Sequence, residues 1–378
     1  MSSPTRAALV AGAALLGLGA LASSPAGATT PVGARPPLHG AITFSRVDDA
    51  GAFQVWVANA DLSRQRQLTS GRSNSQASTW KPDGTRLAFD SDRTDPDPDD
   101  GVGVNDIFTV RPDGSGLVQV TRSSGVSADP SWSPDGKLLT FESDLGDYPA
   151  KQGIYVARAD GSAVRRVTTL PEGAWYDAAP RFSPDGKRLV FTRFRPDGAG
   201  NETSALNLVD ADGSHETVLA STADLNPGDA AWSPDGRTIV FEAYGPVLNH
   251  GDVYTVGADG RHLRNLTRND PLKGGAADPV FSPDGRLIMH LKAVLSDGVF
   301  QRAGLATMAS NGRGDAFVTA EQTSGEEHQP DWIARARSVR LPSAEVRAVR
   351  PSVGKVHPPE RPGRDELRSE ALARQSMP

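Results

Sequence analysis

A five-residue phrase written five times constrains this chain more than any other feature. It reads aromatic, Ser or Lys, Pro, Asp, Gly, at Trp80–Gly84, Trp132–Gly136, Phe182–Gly186, Trp232–Gly236 and Phe281–Gly285. Trp332 follows at the same interval without the turn. Successive aromatics stand 52, 50, 50, 49 and 51 residues apart by subtraction of their numbers. Such a period marks a radial or stacked repeat rather than a series of unrelated domains.

Each phrase sits between two strand-like runs. Pro is pre-set for the first central position of a turn, Asp tolerates the next, and Gly takes the positive φ that closes it. Beyond the turn come Leu87 and Phe89, Leu189 and Phe191, or Ile239 and Phe241, two apart and so on one face of a strand. A second phrase completes the unit. Strands starting at Val55, Ile107, Ile154, Leu206, Val253 and Leu305 are followed six residues on by Asp61, Asp113, Asp160, Asp212, Asp259 or Asn311. Thr69, Thr121, Thr168, Ala220, Thr267 and Thr319 then end a fourth strand. Four short antiparallel strands per unit predict a propeller blade, and six units predict an all-β, six-bladed β-propeller.

The units are out of phase with the chain. Ala41–Phe44 match the strand after the turn, so the first blade lacks its inner strand, and Trp332 has no hairpin after it. The strand at about 328–334 is therefore expected to complete the blade begun by residues 41–69, pairing two edges that would otherwise invite aggregation.

The ends read differently from the repeat body. Arg6, the apolar run Ala7–Ala22 and Ala26-Gly-Ala28 have the layout of an export signal over residues 1–28. Residues 29–38 read as a linker, 39–336 as the propeller, and 337–378 as a disordered Pro/Arg-rich tail. No other segment reads as a membrane span. The chain is expected to be exported, extracytoplasmic or secreted, and monomeric. Its 33 Arg against 7 Lys suit a GC-rich bacterial coding sequence.

The chain has no Cys, which excludes disulfides, thiolate metal sites and a Cys nucleophile. From Arg335 onward ten basic and five acidic residues give +5; removing these and Arg6 leaves 29 basic and 41 acidic residues, or −12, on the body. An acidic body carries no electrostatic footprint for nucleic acid.

Strand alternation places the Pro-Asp-Gly and Asp-Gly turns on one face. The long segments 90–106, 142–152, 193–204, 220–230, 242–251, 268–279, 290–303 and 320–329 fall on the other. Binding residues gather on loops carried by a rigid scaffold, so that face and the adjacent channel mouth are the candidate site. Trp56, Trp80, Trp132, Trp232 and Trp332 fill repeat positions and read as wedges between blades, leaving Trp175 over. With Tyr148, Tyr176 and Tyr244 it is suited to stacking on a sugar or packing against a peptide.

Asp129, Asp229 and Asp278 each lie three residues ahead of the repeat aromatic, with Gln329 at the equivalent place and Asp177 and His328 nearby. Converging inner strands would ring them around the channel mouth as a site for a cation or cationic peptide. The competing reading is that each Asp caps its own turn. Asp95, Asp97, Asp99 and Asp106 occupy positions 1, 3, 5 and 12 of a candidate calcium loop. Its Gly is one place late and prolines stiffen it, so the pattern departs from an EF-hand. No other cofactor is expected.

The phrases resemble the TolB-type repeat of the WD40-like (PD40) propellers, over roughly residues 41–334. The resemblance implies a propeller that binds a partner protein in the cell envelope. It also brings in propellers attached to prolyl-oligopeptidase-type hydrolases, and oligogalacturonate lyases. The peptidases need a Gly-x-Ser-x-Gly elbow, which this chain lacks. A lyase-like enzyme acting on acidic oligosaccharide would need a divalent metal, for which His250, His290 and His328 are candidate ligands. The leading expectation is a non-catalytic binding scaffold presenting its long-loop face to an envelope or extracellular protein, peptide or glycan.

Overall fold

A computed structural model describes residues 38–96, 104–148, 150–197, 201–220, 225–244, 251–318 and 327–334. The expected signal, linker and tail lie outside these residues, apart from Leu38 at the linker's end. Twenty-four strands form six four-stranded antiparallel sheets, and none of the described residues is helical. No helix long and apolar enough to cross a membrane occurs among them.

The first sheet contains β1 (Ala41–Val47), β2 (Phe53–Asn59) and β3 (Arg66–Gln67). The second is β4 (Ser75–Trp80), β5 (Leu87–Ser91), β6 (Asp106–Val110) and β7 (Val118–Gln119). The third is β8 (Ser127–Trp132), β9 (Leu138–Ser143), β10 (Gly153–Arg158) and β11 (Arg165–Arg166). The fourth is β12 (Tyr176–Phe182), β13 (Arg188–Pro196), β14 (Glu202–Asp210) and β15 (Thr217–Ala220). The fifth is β16 (Asn226–Trp232), β17 (Thr238–Tyr244), β18 (Gly251–Gly257) and β19 (Arg264–Asn265). The sixth is β20 (Gly274–Phe281), β21 (Leu287–Ser296), β22 (Val299–Ala309) and β23 (Ala316–Phe317).

The last strand, β24 (Glu327–Ile333), joins the first sheet in the order β24-β1-β2-β3. Trp332 lies opposite Ile42, so the closure expected from the unpaired ends is present. Arg46 pairs with the buried Glu327 at 2.6 Å, and the Trp332 indole donates to the His39 carbonyl at 2.8 Å.

The repeat phrase has a reason at each position. In the copy at 132–136, Gly136 N–H donates to the Ser133 carbonyl, the Ser133 hydroxyl donates to Asp135, and Asp135 accepts the Lys137 amide. The glycines of all five phrases have φ between 66° and 72°, where a Cβ is unfavourable. The Thr that ends most units is equally specific. Its hydroxyl accepts an amide near the start of the third strand, as Thr69 does for Val55, Thr121 for Ile107, Thr168 for Ile154 and Thr267 for Val253.

The repeat aromatics pack against the preceding blade. Trp80 meets Val55 and Val57, Trp132 meets Ala88 and Ile107, and Phe182 meets Ile154 and Val156. Trp232 packs on Val190 and Leu206, Phe281 on Val240 and Val253, and Trp332 on Met289 and Leu305. Burying each such ring contributes about 1.5–3 kcal/mol of transfer free energy. Trp56 does not belong to this set. It stacks on Phe44 of its own blade, as Phe108 does on Phe89 and Tyr155 on Phe141.

Several expected loops are partly strand. Segment 290–303 is a tall hairpin whose turn, Asp297-Gly298, has positive φ at both residues, as a type I′ turn requires. Segment 193–204 likewise holds the ends of β13 and β14.

Candidate functional site

The innermost strands β4, β8, β12, β16, β20 and β24 neighbour one another in turn and enclose the axis. Each breaks its ladder at the same place, where two residues oppose one on the next strand. These are β-bulges, and Pro at the second bulge position of four of them (Pro130, Pro180, Pro279, Pro330) lacks the amide that the broken ladder no longer needs. The first bulge residue has positive φ in all six: Ala77 48°, Asp129 51°, Ala179 50°, Asp229 30°, Asp278 51° and Gln329 50°. None is Gly. Backbone strain of this kind costs about 1–3 kcal/mol per residue and gathers at functional sites.

The bulges bring together the predicted Asp129, Asp229, Asp278 and Gln329. A second tier, absent from the sequence reading, comes from the residue after the core Phe of the next strand: Asp90, Glu142 and Glu242. Asp90 accepts the Asp129 amide at 3.3 Å, and Glu242 accepts the Asp278 amide at 2.8 Å. Asp278 Oδ2 accepts the Gln329 amide at 3.0 Å, and Gln329 Oε1 accepts the Ala77 amide at 3.0 Å. Asp90, Glu242 and Asp278 thus stitch one blade to the next.

Oxygens remain over. Glu142 Oε2, Asp229 Oδ1 and Asp278 Oδ1 are buried and accept no hydrogen bond from the described residues. Glu142 and Asp278 are only 7% and 5% exposed. One oxygen each from Asp229, Glu242 and Asp278 lie within 4.8 Å of one another, a donor set that suits a hard cation or a protonated amine.

Burial and mutual repulsion raise Asp90, Glu142, Asp229 and Glu242 above the ordinary carboxylate range. Asp90 and Glu142 are raised well above it, by burial first and then by Asp129. Asp229 is raised by burial and then by Glu242 and Asp278, while Glu242 is pushed up to about 8 by burial and Asp278. Burial also raises Asp129, an effect that Arg181 opposes. The Tyr244 phenol is raised by the Glu242 carboxyl beside it and by burial.

On the short-turn side of the ring a cavity of about 410 Å³ follows the axis, walled by Arg181, Asp229, Asp278, Gln329 and Asp331 and by the repeat aromatics. The sequence pointed to the long-loop face. Among the described residues, this cavity lies on the other side of the ring.

The remaining predicted residues divide. His328 sits at the ring, Nδ1 3.5 Å from Asp278 Oδ2, its ring edge-on to Phe53. Asp177 is not in the ring, because the bulge position of its strand is Ala179. Its carboxylate is fully buried, held by Arg193 at 2.6 and 2.8 Å and by the Thr168 hydroxyl at 2.7 Å, and Arg193 also pairs with Glu216. Trp175 is half-buried ahead of β12, donating its amide to the Phe194 carbonyl at 2.8 Å. Tyr176 is buried, stacked on Phe194 at 4.4 Å with its hydroxyl donating to Glu202. These two belong to the fourth blade's own packing.

In the candidate calcium loop, Asp97 and Asp99 lie outside the described residues. Asp95 accepts the Val104 amide. Asp106 is buried and accepts from Thr121, Ser123, Thr94 and Gln119, so its oxygens are already engaged by four donors. Asp252 plays the same part for Thr267. Of the histidines, His250 lies outside the described residues. His290 is fully buried in place of a core Phe, with its ring nitrogens 2.9 Å from the Leu291 carbonyl and 3.0 Å from Asp315. Both its ring nitrogens are engaged by these partners.

A family profile described as the TolB beta propeller domain (PD40) matches residues 100–283. A TolB homolog of Chlorobium luteolum is 36% identical over 120 residues, which are 32% of this chain and 24% of that protein. An uncharacterized peptidase, YuxL of Bacillus subtilis, is 33% identical over 94 residues, 25% of this chain and 14% of the peptidase. The matches thus span about a quarter or less of these relatives' own length. Among solved structures, TolB from Acinetobacter baumannii superposes with a TM-score of 0.59 at 21% identity, covering 78% of this chain and 67% of that one, a likeness of fold alone. The repeat phrase, the closed ring of six blades and the matching profile agree: the chain is a six-bladed β-propeller whose repeats are similar to those of the TolB beta propeller domain.

Proposed function

We propose that this protein is a non-catalytic binding scaffold acting outside the cytoplasm, and that the carboxylate ring on its axis receives a cationic group of a protein or peptide partner. One observation carries this reading: six strained bulges bring three acidic side chains around one axis, leaving buried oxygens unused. A fold that needed the ring only for packing would gain by filling it with apolar groups, because an unpaired buried carboxyl is costly. The TolB-named relatives support an envelope partner.

The test is retention of envelope proteins on the immobilised full-length chain, compared with an Asp229→Asn/Asp278→Asn variant of the same melting temperature. A partner held by the wild type and released by the variant is the expected result. Equal retention by both, or none by either, removes the axial ring from the function.

A second reading rests on the same Asp229–Glu242–Asp278 set: a divalent-metal-dependent enzyme acting on acidic oligosaccharide. Its substrate would carry the charge that this ring repels. Metal-dependent cleavage of uronate polymers by the purified chain would establish it.

A further inference from the structure

Arg181 is the only arginine or lysine in the six innermost strands. Its place in the repeat, one residue before the aromatic, is held elsewhere by Thr79, Ser131, Ala231, Val280 and Asp331. It walls the axial cavity together with Asp229, Asp278 and Asp331, which come from three different blades. Its carbonyl accepts the Trp232 indole at 3.2 Å, and its guanidinium donates to the Pro180 carbonyl at 3.2 Å. Among the described residues, no other Arg or Lys lines this cavity.

We propose that Arg181 is the resident counter-ion of the axial ring, holding the place that a ligand's cationic group takes and so keeping free small cations out. This rests on the cation-receiving reading above and adds the residue that sets its selectivity. The guanidinium acts on several acids at once. It lowers Asp129, Asp229 and Asp331, each of which burial raises. One positive charge does not match the acids around it, and the unused oxygens of Glu142, Asp229 and Asp278 remain for an incoming cation. That cation is attracted by the acids and repelled by Arg181. A bare ion gains only the difference, whereas a basic side chain on a peptide adds contacts from the rest of its chain.

The experiment is calorimetric titration of the full-length chain with calcium chloride at neutral pH, for wild type, Arg181→Met and Arg181→Lys, with melting curves to confirm folding. A guanidinium beside a carboxylate weakens its hold on a single positive charge, the proton, by about ten- to a thousandfold, and it repels a doubly charged ion more strongly. Arg181→Met is therefore expected to bind calcium at least about tenfold more tightly than wild type. Arg181→Lys, which keeps the charge, should behave as wild type, and adding Asp229→Asn/Asp278→Asn to Arg181→Met should abolish the gain. Equal affinity of wild type and Arg181→Met overturns the proposal while leaving a cation-receiving ring in place. A gain in Arg181→Lys equal to that in Arg181→Met overturns it in favour of simple room. Calcium binding by none of the variants overturns it as well, and the partner-retention test then decides the ring's role separately.

Discussion

Two rings of side chains lie three residues apart on the same six strands, and they are built on opposite rules. The outer one, Trp80, Trp132, Phe182, Trp232, Phe281 and Trp332, is chemically uniform, and each member fills the same slot against the preceding blade. The inner one, Ala77, Asp129, Ala179, Asp229, Asp278 and Gln329, shares one strained backbone but has no common chemistry. Packing demands sameness because every blade must meet its neighbour in the same way. Variation on an invariant, strained frame points instead to a demand from outside the fold.

The contrast can be broken most severely at the seam. Deleting residues 328–336 removes β24, leaves β1 unpaired and takes Trp332 from its slot, so the chain should aggregate or lose its cooperative melting transition. Light scattering and calorimetry would show it, and an unchanged transition would mean that the ring does not depend on closure.

Single substitutions should separate the two rings. Trp132→Ala is expected to cost about 3–5 kcal/mol in denaturant unfolding, as large core truncations do. Asp229→Asn should change stability by no more than about 1 kcal/mol, because it replaces an acid that burial disfavours and that is incompletely bonded. Comparable losses from both would erase the distinction.

Acidity sharpens the comparison further. Glu242 titrates at about 8 in the fold against an ordinary value of 4.5, so the fold favours its neutral form. Its contribution is complete below about 4.5 and is lost as pH rises through about 8, at up to about 1.4 kcal/mol per pH unit for one proton. Asp315 works in the opposite sense. Burial pushes it up, but the hydrogen bonds and charges of His290 and Lys292 hold it at about 2, so its contribution is lost only as pH falls through that value. Melting temperature should therefore peak in mild acid, and Glu242→Gln should flatten the alkaline decline. An unchanged decline in that variant would assign it to other groups. The smallest effect is expected at the alanines: Ala77→Gly or Ala179→Gly relieves a positive φ but gives up a buried methyl group, so the net change should stay within about 1 kcal/mol.

The blades, their number and their seam were readable because each depends on local chemistry repeated in register. Pro-Asp-Gly can do little but turn, and an unpaired strand at each end of the repeat has one obvious partner. The bulges were not readable. Asp tolerates positive φ and hints at it, but Ala77 and Ala179 give no sign, and proximity in sequence led to Asp177 where the frame places Ala179. Asp90, Glu142 and Glu242 did leave a trace, an acid directly after the core Phe of an otherwise apolar strand. Arg181 left none, because its position varies freely from blade to blade. Trp56 misled through its size alone, since its slot is the one Phe108 and Tyr155 fill. The Asp297-Gly298 hairpin was hidden by long flanking strands that alternate weakly.

The seam also has a consequence in time. Ile42 and Trp332 face each other across 290 residues of sequence (332 minus 42), so the first sheet stays incomplete until nearly the whole propeller has been made. At ordinary rates of synthesis that interval is roughly 15–60 s. Throughout it β1 presents a bare edge, and a newly made neighbour could add a strand there. Arg46 places a charge on that edge while it waits, then pairs with Glu327 when the proper strand arrives. The same side chain therefore guards the nascent chain and latches the finished one.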